Sequence, residues 1–116
     1  MSNTLNSFPM VLDSDITTWR NAAAIVAAGY QTGIRVFKLA LVVGHGGVSS
    51  AGTVTITAPS DSSTLYPPMN VSAGIAADSI LYSDEPTEAL GTLTWRDFAV
   101  TGLTATGTKL MLWWTQ

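Results

Sequence analysis

The last eight residues form a continuous apolar stretch that must be covered by other parts of a protein. Residues 109–116 read KLMLWWTQ and place five large apolar side chains in a row. A short apolar run at a chain end is typical of a strand covered on both faces, inside a β-sheet domain or against another subunit. Because neighbouring residues of a strand point to opposite faces, Trp113 and Trp114 cannot share one core. One of them is therefore predicted to contact a partner.

The composition favours β-sheet and a surface that is partly covered. Charged residues make up 11% of the 116 residues, against about 25% in an average soluble domain. Threonine and serine take the place of charge, and threonine suits the half-exposed face of a sheet. The length allows one domain with a single core. We therefore expect one all-β domain that contacts protein partners, including copies of itself.

Charge and cysteine content argue against several classes of function. The formal net charge is −3, and the five basic residues are scattered, so no basic patch for nucleic acid is expected. The chain has no cysteine for a disulfide or a thiolate metal site. The first residues lack the pattern of a signal peptide. The apolar stretch 22–43 contains Gln31, Arg35 and Lys38, so we expect no membrane-spanning helix.

Alternation of apolar and polar residues predicts several strands. Gly52–Ala58 has the clearest period of two, with Val54 and Ile56 facing inward and the threonines outward. Ile34–Val43 reads as a central strand. Simple alternation gives each of its faces one charge, so either these charges lie at the sheet rim or a bulge resets the register around Phe37.

Two further strands are predicted in the second half of the chain. One covers Ile80–Tyr82, and the other covers Gly91–Thr101. In the second, Leu93 and Trp95 share one phase whereas Phe98 and Val100 share the opposite one. This change of phase predicts a bulge near residues 96–97.

Together these signals predict a β-sandwich of jelly-roll type over residues 13–116, preceded by an extended arm over residues 1–12. The polar arm is expected to order on a neighbouring protein. Its apolar residues would dock there: Leu5, Phe8, Met10 and Leu12. Residues 15–28 allow two readings, a short helix capped by Asp13-Ser-Asp15 and stopped by Gly29, or two short strands.

No set of residues predicts a catalytic or metal site. His45 is the only histidine and stands among glycines, as in a hairpin tip. Carboxylates occur as Asp13 with Asp15, and as Asp84 with Glu85 and Glu88. Turn formation and helix capping explain both groups better than glycosidase chemistry or Ca²⁺ binding. We expect a protein that is not an enzyme and holds no cofactor.

A polar arm ending in Phe8-Pro9, a cysteine-free domain with threonine-rich strands and an apolar last strand resemble the decoration, or cement, proteins of tailed-phage heads. Those proteins are short β-rich modules that clamp neighbouring capsid subunits through a terminal arm and oligomeric contacts. The resemblance implies a structural role on the outside of a virion, with capsid subunits as partners and a homo-oligomeric state.

A second resemblance is to jelly-roll carbohydrate-binding modules. Leu93–Gly102 followed by Leu110–Trp113 looks like the closing strand pair of such modules. This resemblance implies that an exposed tryptophan ring stacks on a sugar, and it stands as the alternative function.

Overall fold

The computed structural model describes residues 3–5, 9–29, 33–44, 46–48, 50–59, 62–84, 94–95 and 97–115. Within them lie eight strands and two short helices, and every strand pair is antiparallel. The strands are β1 Met10–Leu12, β2 Ile34–Val43, β3 Gly52–Thr57, β4 Thr64–Val71, β5 Ile80–Asp84, β6 Thr94–Trp95, β7 Ala99–Thr101 and β8 Thr108–Thr115; the helices are α1 Ala23–Ala28 and α2 Leu103–Thr106. The predicted all-β class is confirmed.

The strands belong to two sheets. One has the order β1-β8-β2-β5, and β6 also pairs with β2. Because β8 runs along one edge of β2, β5 and β6 occupy successive parts of its other edge. The second sheet has the order β4-β3-β7. Residues 16–19 lie beside β7, where Ile16 and Val100 exchange two backbone hydrogen bonds of 3.1 and 2.9 Å.

One hydrophobic cluster contains inward residues of both sheets. The terminal stretch supplies much of it, because β8 lies between β1 and β2 and buries Leu110, Leu112 and Trp114. The last residues of the chain are therefore central to the domain.

At the sheet edges, the Tyr82 hydroxyl accepts a hydrogen bond from the Asn70 backbone N–H and donates one to the Asn70 carbonyl, both at 3.1 Å.

Strand β2 contains the bulge that its sequence predicted near Phe37. Val36 pairs with Trp114 and Lys38 pairs with Trp113, so Phe37 is the extra residue. On its N-terminal side Ile34 and Val36 face the core, and beyond it Leu39 and the alternate residues that follow do so. The bulge keeps apolar residues inward on both sides of the charged positions.

Strands β3 and β4 show why a Pro-Pro pair is tolerated in this sheet. Val54 and Ile56 are fully buried, as the alternation predicted. Val54 pairs with Met69, but Ile56 pairs with Tyr66, which places residues 67–68 in a register shift. Proline lacks a backbone N–H, and an edge strand with a bulge does not require one at each position.

The prediction of one strand over residues 91–101 is wrong. Residues 94–95 form β6 of the first sheet and residues 99–101 form β7 of the second. The chain crosses between sheets at Asp97, whose Oδ1 accepts hydrogen bonds from Thr18 Oγ1 at 2.8 Å, the Arg20 N–H at 2.8 Å and the Phe98 N–H at 2.9 Å. The change of phase in the sequence therefore marks a change of sheet. Gly91, Thr92 and Leu93 lie outside the described residues.

The expected arm over residues 1–12 differs from the structure in its second half. Met10 and Leu12 belong to β1 and are fully buried beside β8. Thr4 also pairs with Val11 through backbone hydrogen bonds of 2.8 and 3.1 Å, so residues 3–5 fold back along β1. Two large apolar side chains in the core outweigh the polar composition that suggested a detached segment.

Two structures were predicted for residues 15–28, one helix or two short strands. The helix is present only from Ala23 onward. Helix α1 covers Ala23–Ala28 and ends at Gly29, the predicted stop. Residues 16–19 are not helical: Ile16 forms an isolated bridge with Val100, and Trp19 stacks on Phe98 with ring centroids 5.6 Å apart. The residue before α1 makes no side-chain capping hydrogen bond.

Asp15 caps a helix, but it is α2, which is distant in sequence. Its carboxylate accepts hydrogen bonds from the N–H groups of Gly102 at 3.3 Å, Leu103 at 2.8 Å and Thr104 at 3.1 Å. The Asp15 N–H in turn donates to Thr104 Oγ1 at 3.2 Å. This reciprocal arrangement fastens the segment after β1 to the turn that precedes β8.

We expect Asp15→Ala to lower the free energy of unfolding by about 1–2 kcal/mol, because it leaves the first N–H groups of α2 without their acceptor. Urea denaturation of the purified chain measures this. Asp15→Asn is the matched control, since its amide oxygen can still accept the hydrogen bonds of the Leu103 and Thr104 N–H groups, which both go to Oδ1, and it should lose less. Equal losses in the two variants would contradict the capping role.

Candidate partner-binding face

The outward side of the five-stranded sheet is mainly apolar, with Arg35, Lys38, Ser83 and Lys109 as its polar residues. Strands β1, β8, β2 and β5 contribute to it. We call the following seven residues the apolar outer face: Val11, Phe37, Ala40, Val42, Ile80, Met111 and Trp113. In each strand they alternate with, or adjoin, residues of the core.

Strand register brings these residues side by side. Met111 pairs with Val11 on one side and with Ala40 on the other. Val42 pairs with Ile80, its neighbour in β5. Directly opposed residues of antiparallel strands have Cβ atoms about 4.5–5.5 Å apart. Val11, Met111 and Ala40 therefore form one apolar row, in which Ala40 is covered by its neighbours, and Val42 and Ile80 form a second.

Two residues of the face are especially exposed. Ile80 is 68% exposed and Phe37 is 43% exposed. Phe37 is the extra residue of the β2 bulge and directly precedes Lys38, the partner of Trp113. Bulges can redirect a side chain, and this one presents the Phe37 ring on the outward side of β2. Aromatic residues at the centre of a surface are typical of protein contacts.

The three-stranded sheet provides an internal comparison. Beside Ala99 and the exposed prolines at 67–68, its outward residues are polar: Thr53, Thr55, Thr57, Thr64, Asn70 and Thr101. The hydroxyls of Thr55 and Thr101 lie 2.6 Å apart, and Thr53 Oγ1 donates to Asn70 Oδ1 at 3.2 Å. The outward side of the three-stranded sheet is therefore mainly hydrophilic, whereas the outward side of the five-stranded sheet is mainly apolar.

Basic side chains accompany the apolar outer face. Lys38 Nζ lies 4.7 Å from the centroid of the Trp113 ring, a cation–π contact. Arg35 and Lys109 also occupy outward positions in β2 and β8. The ammonium group already occupies one side of the Trp113 ring, and a sugar that stacked on that side would have to displace it.

Of the predicted partner-binding residues, the structure places only Trp113 on this face. Leu5 is half-buried and packs against the core, and Phe8 lies outside the described residues. Met10, Leu12 and Trp114 are core residues, so they cannot dock on a partner while the fold is intact. The reason is the period of two, which directs alternate residues of β1 and β8 inward.

The polar candidates do not assemble into a site within the described residues. Asp15 caps α2, and the backbone N–H of Asp13 donates to Asn3 Oδ1 at 2.9 Å. His45, Glu85 and Glu88 lie outside the described part of the chain. Among the residues that the structure describes, no group of three potential metal ligands occurs.

Comparison of the chain with models of known protein families, with curated proteins and with solved structures found no match. No helix in the described part of the chain combines the length and the apolar character needed to cross a membrane.

Sequence reasoning missed most of this face. No sequence motif marks the other residues of this face, because only the register of each strand decides that they point outward. They are Val11, Val42, Ile80 and Met111. The sequence of β8 nevertheless contained a signal, because residues 110–113 are apolar at both odd-numbered and even-numbered positions. Both phases can be apolar only when both sides of the strand are covered.

Proposed function

We propose that this protein is a non-enzymatic structural component of a larger assembly, and specifically a capsid decoration protein that attaches through the apolar outer face. The observation that carries this proposal is the contrast between the two sheet surfaces. Exposed apolar patches rimmed by polar residues mark sites of protein interaction. A surface of threonine on one sheet and of Phe37, Ile80 and Trp113 on the other fits one solvated side and one contact side.

We further propose that the two sheets form a jelly roll. The pairings support this: β1 with β8, residues 16–19 with β7, β2 with β5, and β3 with β4. The chain thus follows the path of one long hairpin, in which early strands pair with late strands in reverse order. Jelly rolls occur in viral capsid proteins and in lectins, so the fold is compatible with both functions inferred from the sequence.

The alternative function is glycan binding through Trp113. The contact with Lys38 disfavours it, because stacking on the occupied side of the ring would require loss of a cation–π interaction of about 0.5–2 kcal/mol. Val11 and Met111 on the same face also offer no side-chain hydrogen-bonding groups to sugar hydroxyls, and the one such group in contact with Trp113, the Lys38 ammonium, lies on the ring itself. An apolar protein surface suits this face better.

The test measures how tightly a Trp113→Ser variant attaches to the native particle, by which we mean the assembly from which the wild-type chain is purified. We expect the variant to stay folded, with a melting temperature close to that of the wild type, because Trp113 points away from the core. Its affinity for the particle should fall by about 2–4 kcal/mol, the typical effect of removing an interface tryptophan. Native mass measurement of the particle gives the copy number of the bound chain.

Thr55→Ser is the matched control, since it changes the outward side of the other sheet. This variant should attach like the wild type. If Trp113→Ser attached normally but lost binding on a glycan array, the alternative function would replace the proposed one.

A further inference from the structure

A tyrosine side chain covers part of one sheet edge in the place of a strand. Strand β4 is the outermost strand of its sheet. The Tyr82 hydroxyl accepts a hydrogen bond from the Asn70 N–H and donates one to the Asn70 carbonyl, so both backbone groups point away from β3. These are the two groups that a residue of an added antiparallel strand would bond. The hydroxyl therefore occupies the position of a partner strand.

The edges formed by β1 and β7 are covered by backbone instead. Thr4 bonds to Val11 in β1, and Ile16 bonds to Val100 in β7, each through two backbone hydrogen bonds. A segment of the same chain thus already lies where a further strand would pair. The cover of β4 differs because it is a single side chain, which can be displaced without unfolding a segment.

Strand β4 carries little other protection against strand addition. Edge strands commonly bear charged side chains, which keep a second strand away. Thr64–Val71 contains no charged residue. Pro67 and Pro68 remove two backbone donors from the middle of the strand. The part that follows them depends on Tyr82.

We propose that Tyr82 is an autoinhibitory cover, which keeps β4 from pairing with β4 of a second copy of this chain. A second copy fits this edge because a two-fold axis at Asn70 lets each copy offer the other the same donor and acceptor. The absence of charge in β4 means that no like charges of this strand would oppose the pairing. Displacement of the Tyr82 side chain opens the edge to that copy.

A shorter side chain at position 82 tests the cover. Tyr82 lies opposite the fully buried Leu41 and packs against the core. Tyr82→Leu keeps an apolar contact there but is too short to reach Asn70, so circular dichroism should show a folded chain. In sedimentation velocity at increasing protein concentration, this variant should self-associate at least tenfold more tightly than the wild type. Sedimentation equal to that of the wild type would overturn the proposal.

A second substitution locates the contact. In a pairing centred on Asn70, Tyr82→Leu with Asn70→Lys places two ammonium groups directly opposite each other, which is unfavourable. This double variant should sediment like the wild type. Tyr82→Leu with Thr53→Lys is the matched control, because Thr53 pairs with Asn70 but lies one strand away from the edge, and it should still associate. Equal association of the two double variants would place the contact elsewhere and overturn the proposal.

A measurement on the wild type does not depend on how well the variants fold. Hydrogen exchange followed by NMR should show slow exchange of the Asn70 N–H, because the Tyr82 hydroxyl accepts its hydrogen bond. Exchange at the rate of an unstructured peptide would mean that the cover is not in place, and would overturn the proposal. Trp113 lies in the other sheet, so its role in attachment to the particle stands or falls separately.

Discussion

A chain that ends after Lys109 is expected not to fold. The truncation removes β8 from between β1 and β2, together with the buried side chains of Leu110, Leu112 and Trp114. Loss of a single large core side chain costs about 2–5 kcal/mol, and the whole domain is stabilised by only about 5–15 kcal/mol. Circular dichroism and one-dimensional NMR of the truncated chain should show an unfolded ensemble.

The control for this truncation keeps the backbone of β8 and changes only its outward residues. Met111→Ser and Trp113→Ser together should leave the chain folded, because neither side chain lies in the core. A truncated chain with the native spectrum would mean that the first sheet does not depend on β8, contrary to its central position.

Gly102→Ala is expected to lower the free energy of unfolding by about 4 kcal/mol or more. Gly102 has φ of +96°, and a Cβ atom there would overlap the backbone oxygen of Thr53. The obstacle is backbone of β3, which cannot move aside as a side chain would. Thermal and urea denaturation of the variant measure the loss.

Gly74→Ala is the matched control for this effect. Gly74 also has a positive φ, +83°, but nothing lies within 4 Å of the position of its Cβ. It should therefore cost only the strain of the left-handed conformation, about 1–2 kcal/mol. Similar losses at Gly74 and Gly102 would show that backbone conformation, and not the close approach to Thr53, sets the requirement for glycine.

Some features were predictable because they depend on local sequence alone. The alternation in β3 and the bulge at Phe37 follow from the requirement that apolar residues face one core. Gly29 ends α1 at the predicted residue. In each case neighbouring residues contain all the information needed.

Other features depend on partners that are distant in the sequence. A bulge within one strand and a crossing between two sheets produce the same local change of phase near Asp97. The hydrogen bonds of Asp97 with Thr18 and Arg20 show that the chain crosses between sheets here. The local sequence predicts that Asp15 caps the helix that follows it. In the structure its carboxylate instead accepts hydrogen bonds from the N–H groups at the start of α2.

Composition and residue pattern were enough to predict the β-rich class, the inward residues of the regular strands and the need to cover both sides of β8. Which tryptophan lies in the core could be read only from the folded chain, where Trp114 completes the core and Trp113 belongs to an outer face with Phe37 and Ile80. A period of two assigns residues to opposite sides of a strand, but the order and register of the strands decide which side faces the core.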